Sequence, residues 1–471
     1  MSLTVIWSAF LGVLAVIIVG LCVWRAISSA RTPQGAVAWV IFLLAAPWFG
    51  VPAYMVFGHH KLHSYTESRR RSRRLISERL SAEPVSPDSA NPDSRLFRFE
   101  RLVRMPAVAG NDVRLLIDGE ETFNAIFAAI DAAKTYVLIQ FYTIADDDLG
   151  NALADRLIAA AERGVNVRVI CDGVGSYGLP RSYQQRLVEN GVRFLDPSEN
   201  RGPSSRRHIN FRNHRKTVVI DGSIGFIGGH NVSDTYVGAD SHYGHWRDTH
   251  LALRGPVVSQ LQLGYAEDWH WASGDHITDD LMWAPEAEPA NIEALTLLMG
   301  PSDEIDTGAL FYFSAINAAQ SRVWIASPYF VPDIDSLSAL KAAALRGCDV
   351  RIMVPNTPDH YLTWLAAFSF FDEIRAVGVK VYRYTKGFLH QKVVLIDDDV
   401  AAIGSANFDN RSFRLNFESM ILVHSPEFSQ DVARMLEDDM QDSYLLEKNL
   451  SAQKLYIRIG APMARLLSPI L

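Results

Sequence analysis

Two short stretches of the chain carry residue types suited to phosphate chemistry, and both carry them at one spacing. The first is His214, Lys216 and Asp221, followed by Gly228, Gly229 and Asn231; the second is His390, Lys392 and Asp397, followed by Gly404, Ser405 and Asn407. Each reads H-x-K-x4-D-x6-G-[GS]-x-N. A phosphodiester resists attack because its own charge repels nucleophiles, so cleaving it takes cations on the non-bridging oxygens, a nucleophile, and an acid for the departing oxygen. Lys216 and Lys392 can supply the cations, with Asn231 and Asn407 as uncharged donors. One imidazole can attack phosphorus to give a phosphoryl-histidine. The other can protonate the leaving alkoxide and then take a proton from the incoming hydroxyl, since a reference pKa of ~6.5 suits both tasks. A working histidine needs an acceptor on its second nitrogen, and Asp248 and Glu418 follow the two motifs at comparable distance. Asp221 and Asp397 belong to the motif and are counted with its catalytic residues, although their place at a strand end favours a capping role. These donors make a metal unnecessary, and the sequence offers no metal-ligand set or cofactor motif.

Such groups need strands to hold them. Residues i and i+2 of a strand share a face, so each histidine is expected to project with its lysine, and the apolar run after each lysine reads as a buried strand. Asp221-Gly222 closes the first run as a turn. The same series of elements precedes both motifs. In the first half it is a strand at Thr135–Tyr142, a helix from Asn151 to Arg163 stopped by Gly164, a strand at Val165–Cys171, a second helix, and a strand at Gly191–Leu195. In the second it is Arg322–Phe330, a helix from Ser338 to Arg346 stopped by Gly347, Asp349–Pro355, a helix ending near Gly378, and Val379–Arg383. This internal repeat predicts two tandem α/β sandwich halves. Each half supplies a single His-Lys pair, so the active site is expected between them. One difference stands out: Gly191 to His214 spans 23 residues, Gly378 to His390 only 12. The surplus, with Pro197, Arg201, Arg206, Arg207 and His208, is read as a solvated loop, the alternative being a phosphate-reading or membrane-facing lip.

The 471 residues carry a net charge of −8, so no global positive field recruits nucleic acid. Mean hydropathy is +0.03, and the apolar surplus lies at the N-terminus. Leu3–Trp24 and Gly35–Phe57 are charge-free runs, long enough to cross a ~30 Å hydrocarbon core and read together as a transmembrane hairpin. Lys61, Arg69, Arg70, Arg71, Arg73, Arg74 and Arg79 follow it, against Arg25 and Arg31 in the connection, which sets the catalytic part on the cytoplasmic side. The same collar is suited to anionic headgroups; His59, His60 and His63 are read as interfacial polar residues. Ser81–Arg95 is a Pro/Ser/Asp-rich linker. Cys22, Cys171 and Cys348 share no metal spacing, and Cys171 and Cys348, in or beside apolar strands, are expected to be buried. The domains expected are a hairpin at 1–58, a basic segment and linker at 59–98, halves at 99–295 and 296–449, and a tail at 450–471. Leu455, Ile457, Ile459, Leu466 and Leu467 of that tail either lie on the membrane or pack on the catalytic halves.

At Asn213–Gly222, Gly228–Asn231, Trp246–His250, Ser327–Pro332, Gly387–Lys392, Gly404–Phe413 and Asn416–Glu418 the chain resembles the phospholipase D superfamily, and within it the bacterial cardiolipin synthases. The N-terminal hairpin and the closing Ala464–Leu471 share the resemblance, so it covers nearly the whole chain. It implies transphosphatidylation: one phosphatidylglycerol gives its phosphatidyl group to a histidine, and a second accepts it to form cardiolipin. It also implies His214 as nucleophile and His390 as acid/base, with the carboxylates crossing over, Glu418 to His214 and Asp248 to His390. The implied setting is the bacterial inner membrane, multi-pass, with no cofactor and no nucleic-acid partner. Self-association is left open. A hydrolase that hands the intermediate to water and a membrane-tethered nuclease share the motif; the lipid anchor and the acidic balance weigh against the nuclease.

Overall fold

Thr217–Ile220 and Val393–Ile396, the apolar runs after the motif lysines, are buried along their whole length and sit at equivalent places in one large sheet. The computed structural model describes residues 3–29, 33–58, 67, 69–72, 74–75, 94–197 and 211–471, which divide into the N-terminal helices and a body from Glu67 onward. His59, His60, Lys61, His63, Arg73, Arg79, the linker up to 93, and Arg201, Arg206, Arg207 and His208 lie outside the described residues.

The strands of the first half are β1 (Val108–Ile117), β2 (Tyr136–Phe141), β3 (Asn166–Cys171), β4 (Arg193–Leu195), β5 (Arg212–Asn213), β6 (Thr217–Ile220), β7 (Ile224–Gly228), β8 (Trp246–Arg247) and β9 (Thr249–Arg254). Those of the second are β10 (Ile292–Met299), β11 (Arg322–Ala326), β12 (Phe330–Val331), β13 (Asp349–Pro355), β14 (Lys380–Tyr384), β15 (Phe388–Leu389), β16 (Val393–Ile396), β17 (Val400–Gly404), β18 (Phe408–Asp409), β19 (Asn416–His424) and β20 (Ser443–Leu445). The main sheet runs β20-β14-β13-β11-β16-β17-β19-β10-β1-β9-β7-β6-β2-β3-β4. Outward from the antiparallel β10–β1 junction the halves match strand for strand: β19 with β9, β17 with β7, β16 with β6, β11 with β2, β13 with β3 and β14 with β4. The two tandem α/β halves are therefore joined edge to edge in one continuous sheet.

Helices Asp118–Ala132 and Asp148–Glu162 pack on the first half; Thr307–Ala318, Ile334–Leu345 and Tyr361–Arg375 pack on the second. Val257–Ser273 and Pro426–Gln441 enclose a third core, in which Leu261 and Trp269 of one half meet Leu395 and Leu436 of the other. The repeat extends to helix ends. Asp147 accepts from Gly150 N at 3.0 Å and Asp333 from Ser336 N at 2.8 Å, so both second helices open on an aspartate cap. Both end at a glycine in left-handed backbone, Gly164 (φ +87°) and Gly347 (φ +95°). Cys22, Cys171 and Cys348 form no disulfide and are buried.

In the N-terminal unit, helix Leu3–Ser29 contains Ile6–Ser28, apolar and long enough to cross a membrane. The second apolar run departs from the single spanning segment expected. It forms two helices, Pro33–Ala45 and Pro47–Phe57, broken at Ala46 (φ −141°). Pro47 has no N–H to give to the preceding turn, and its ring disfavours helical backbone at Ala46. At ~1.5 Å per residue neither piece alone reaches ~30 Å.

Candidate active site

Two pairings, each two residues long, bring the motifs together. β5 runs parallel to the start of β19, with Asn213 opposite Phe417, and β15 runs parallel to β8, with Leu389 opposite Arg247. The next residue of each motif continues the pairing: His214 N donates to Phe417 O at 2.9 Å and His390 N to Arg247 O at 2.8 Å. One step further along the partner lies a carboxylate. His214 Nδ1 is 2.9 Å from Glu418 Oε2, and His390 Nδ1 is 2.6 Å from Asp248 Oδ2. Each histidine thus takes its acceptor from the opposite half. With Nδ1 so held, Nε2 of each ring is left for chemistry. His214, Lys216, His390 and Lys392 precede the ladder strands β6 and β16, in segments that belong to no strand. Even so, each lysine stays with its histidine: Lys216 Nζ donates to His214 O at 2.8 Å, and Lys392 Nζ lies 2.8 Å from His390 Nδ1 and also donates to His390 O.

Asn231 is fixed by Thr143 N, which donates to its Oδ1, and by Tyr236 OH, 2.6 Å from its Nδ2. Asn407 is buried, with its backbone N–H bonded to Ser412 Oγ. Aromatic rings wall the histidines: Tyr142 lies 4.9 Å from the His214 ring, Trp246 and Tyr236 lie 5.1 and 5.6 Å from that of His390.

The motif's one variable position has a steric cause. Ser405 Oγ donates to Glu418 Oε2 at 2.6 Å. At the matching Gly229 an added Cβ would stand 2.0 Å from Asp248 Oδ1, so the first half needs glycine there. The shorter carboxylate leaves no room for the serine that braces the longer one.

Burial dominates the site's protonation. It drives His214 down to about 4 and His390 to about 3, opposed by Glu418 and Asp248 respectively. It also brings Lys216 down to about 7 and Lys392 to about 8, with Glu418 and Asp248 opposing. Asp248, whose burial is outweighed by Lys392 and its histidine neighbours, stays well below the carboxylate range and ionised. Both imidazoles are therefore neutral near pH 7, and both lysines titrate close to it, where an entering anion favours their charged forms.

The motif aspartates point elsewhere. Asp221 accepts from Lys134 N, Thr135 N, Thr135 Oγ1 and Tyr136 N. Asp397 accepts from Gln320 N, Ser321 N, Ser321 Oγ, Arg322 N and Arg95. Both sit at φ +51° where the motif strand turns. Each carboxylate is committed to stapling the motif strand to the start of its neighbour, β2 or β11, which is the capping role that a strand end favours.

Behind the histidines lies a support that the motif does not announce. Asp268, on helix Val257–Ser273, accepts from Arg215 (3.0 Å), Asn213 (2.8 Å), Gln140 (2.7 Å) and Arg69 (2.6 Å). Asp439, at the matching place on Pro426–Gln441, accepts from Gln391 (2.8 Å) and, through both oxygens, from Arg247 (2.6 and 2.9 Å). Arg215 and Gln391 follow the two histidines, so the supports correspond. The repeat-mate of Arg247 is Phe417, which has no charge to give. Arg69 takes that place from outside the repeat, its guanidinium 3.9 Å from the Phe417 ring and 4.2 Å from Trp271. Arg70 docks beside it on Ser302 O and Asp303 O. The basic collar is therefore not uniformly a surface charge cluster. A sequence signal for Asp268 and Asp439 does exist: each is an acidic residue on the buried side of corresponding helices.

A continuous sheet built from two matching halves, with two histidines, two lysines and crossed carboxylates at their junction, defines a phospholipase D-like protein. The model of the family described as "Cardiolipin synthase, PLD-like domain" matches residues 126–243 and 312–440. The chain is 44% identical over 459 residues to cardiolipin synthase A of Pseudomonas entomophila (strain L48), covering 95% of each chain. It is 42% identical over 457 residues to cardiolipin synthase A of Pseudomonas aeruginosa (strain UCBPP-PA14), covering 95% of this chain and 93% of that one. The chain belongs to the cardiolipin synthase family. Among solved structures, the phosphatidylserine synthase of Haemophilus influenzae Rd KW20 superposes with a TM-score of 0.57 at 15% identity, over 80% of this chain and all of that one, which shows the shared fold.

Proposed function

We infer that the protein is a phosphatidyltransferase that makes cardiolipin and glycerol from two molecules of phosphatidylglycerol. The observation that carries this reading is the pair of neutral histidines, each held at Nδ1 by a buried carboxylate from the opposite half and each beside a buried lysine. In the first step His214 Nε2 attacks phosphorus, the bond from phosphorus to the glycerol headgroup oxygen breaks, and His390 delivers a proton to that oxygen. Its pKa is low in the empty site, and the phosphate charge raises it on binding. Lys216 and Lys392 neutralise the non-bridging oxygens, with Asn231 and Asn407 as neutral donors. In the second step His390 takes the proton of the terminal hydroxyl of a second phosphatidylglycerol, whose oxygen displaces His214. The P–N bond made in the first step is broken in the second, and each step exchanges one bond to phosphorus for another, so the reaction runs both ways.

The enzyme works at the membrane, in keeping with its apolar N-terminal helix. We place the body on the cytoplasmic face of the inner membrane on the charge bias around the hairpin, with a second crossing kinked at Ala46. The test is product analysis with labelled phosphatidylglycerol as the sole lipid. Equimolar cardiolipin and glycerol, absent in His214→Ala and His390→Ala, is the expected result, with covalent label accumulating only where His214 is intact. Phosphatidic acid without cardiolipin refutes the synthase reading.

A further inference from the structure

The last α-helix described, Leu455–Arg465, is apolar on two opposite faces. Ile457, Ala461 and Ala464 are buried against the body. On the other side Leu455, Ile459, Met463 and Leu466 are 67%, 61%, 63% and 75% exposed. At ~100° per residue these four fall within an arc of about 80°, turned away from the buried three. A surface helix in water keeps its outer face polar, so this one is built for another medium. The tail as a whole resolves the two alternatives set by its sequence: Ile457 packs on the catalytic halves, and its neighbours do not.

Charge indicates what covers the face. From Asn449 to Leu471 the side chains include Lys454, Arg458 and Arg465 and no acidic residue, in a chain of net charge −8. Lys454 and Arg458 are exposed, and Arg465 is tied to Glu373 while lying over the Phe370 ring. Basic side chains bordering an apolar stripe match an anionic headgroup layer over acyl chains. The position matches as well. The tail ends with Leu471 O accepting from Arg411 N at 2.9 Å. The Arg411 side chain shares its electrostatic surroundings with Arg212 and Tyr142, and Tyr142 packs on His214.

We propose that helix Leu455–Arg465 is an interfacial docking surface for an anionic phospholipid bilayer. Leu455, Ile459, Met463 and Leu466 enter the acyl boundary, Lys454 and Arg458 meet the headgroups, and the catalytic body is thereby held against the bilayer. This goes beyond the reaction, and it is tested by depth rather than turnover.

The experiment uses the full chain carrying Ile459→Cys, labelled with a small environment-sensitive fluorophore and reconstituted into vesicles of phosphatidylserine and brominated phosphatidylcholine. The unsubstituted protein, whose three cysteines are buried, supplies the labelling background. Strong quenching by the brominated chains, shielding from aqueous iodide, and weakening of both when phosphatidylserine is left out are the expected results. Iodide access as free as in detergent overturns the proposal. So does energy transfer between labelled copies, which would make the face a contact with a second copy. As a second measurement, Ile459→Asp with Met463→Asp is expected to slow turnover on vesicles ~tenfold while sparing turnover of short-chain lipid in mixed micelles. Unchanged turnover on vesicles counts against it.

Discussion

Replacing Arg69 by alanine tests whether the segment after the apolar helices belongs to the catalytic machinery. In the folded protein its guanidinium is 6% exposed, sandwiched between Phe417 and Trp271, and bonded to Asp268. Burial alone would raise the Asp268 carboxyl, but Arg215 and Arg69 hold it well below its usual range. Removing one partner of a buried pair costs ~3–5 kcal/mol when the other charge is left alone. Here Arg215, Gln140 and Asn213 remain, so the expected loss is smaller, about 2–3 kcal/mol, and it appears as a fall of several degrees in Tm.

The rate should suffer separately. Asn213 and Arg215 flank His214, and Phe417 precedes Glu418; a slackening of ~1 Å at such positions can cost ~10²-fold. The loss is expected in kcat, with KM for phosphatidylglycerol nearly unchanged, because Arg69 shares Asp268 with the residues that flank His214 and has no lipid-facing role in the proposal. Asp268→Asn leaves both Arg69 and Arg215 buried without a counter-charge, so it should lower Tm further than Arg69→Ala, and combining the two should not restore it. Lysine at 69 should rescue little, since a point charge cannot stack between two rings while bonding Asp268. If Arg69→Ala keeps its Tm to within about 2 °C and its kcat to within about threefold, the support is not coupled to His214 and the reasoning fails.

Gly229→Ala should disable the His390 side, because the new Cβ meets Asp248 at 2.0 Å; ~10²-fold lower kcat with soluble, folded protein is expected. Ser405→Ala at the matching place loses the bond to Glu418, about 1.5–3 kcal/mol, along with weaker contacts to the Ser419 backbone, so it should cost about 10²-fold or less. The pH profile of kcat/KM should fall on the alkaline side as Lys216 and Lys392, at about 7 and about 8 in the empty site, lose the protons that an anionic lipid needs. Lys216→Arg should move that limb upward, since the lower of the two values sets where it begins; a limb that stays in place assigns it to another group. Asp397→Ala should lower stability by about 3 kcal/mol, measured as Tm in detergent. The Asp397 carboxyl is held down to about 2, so its contribution is complete above ~3.9 and lost as pH falls through about 2; the variant should unfold less steeply in acid.

How much of this could be read from the chain depends on the length of each signal. The runs after Lys216 and Lys392 are four buried residues each, and the helix stops at Gly164 and Gly347 are single residues with one backbone meaning, so the repeat and its α/β character stand out. The pairings that build the site are two residues long. β5 on β19 and β15 on β8 have no periodicity to detect, so the sequence yields the histidines and the carboxylates but joins them only through family resemblance. Hydropathy likewise sees one run from Gly35 to Phe57, because the break at Ala46 comes from a missing N–H, which no apolar scale records. Arg69 is the instructive case. Among neighbouring arginines it reads as one more topogenic charge, while its fold position is fixed by an absence 348 residues later, where Phe417 stands in the place of Arg247. A duplicated protein whose copies were identical would need no such residue. The site is made whole by a side chain that lies outside both repeats, so the duplication alone does not specify the enzyme.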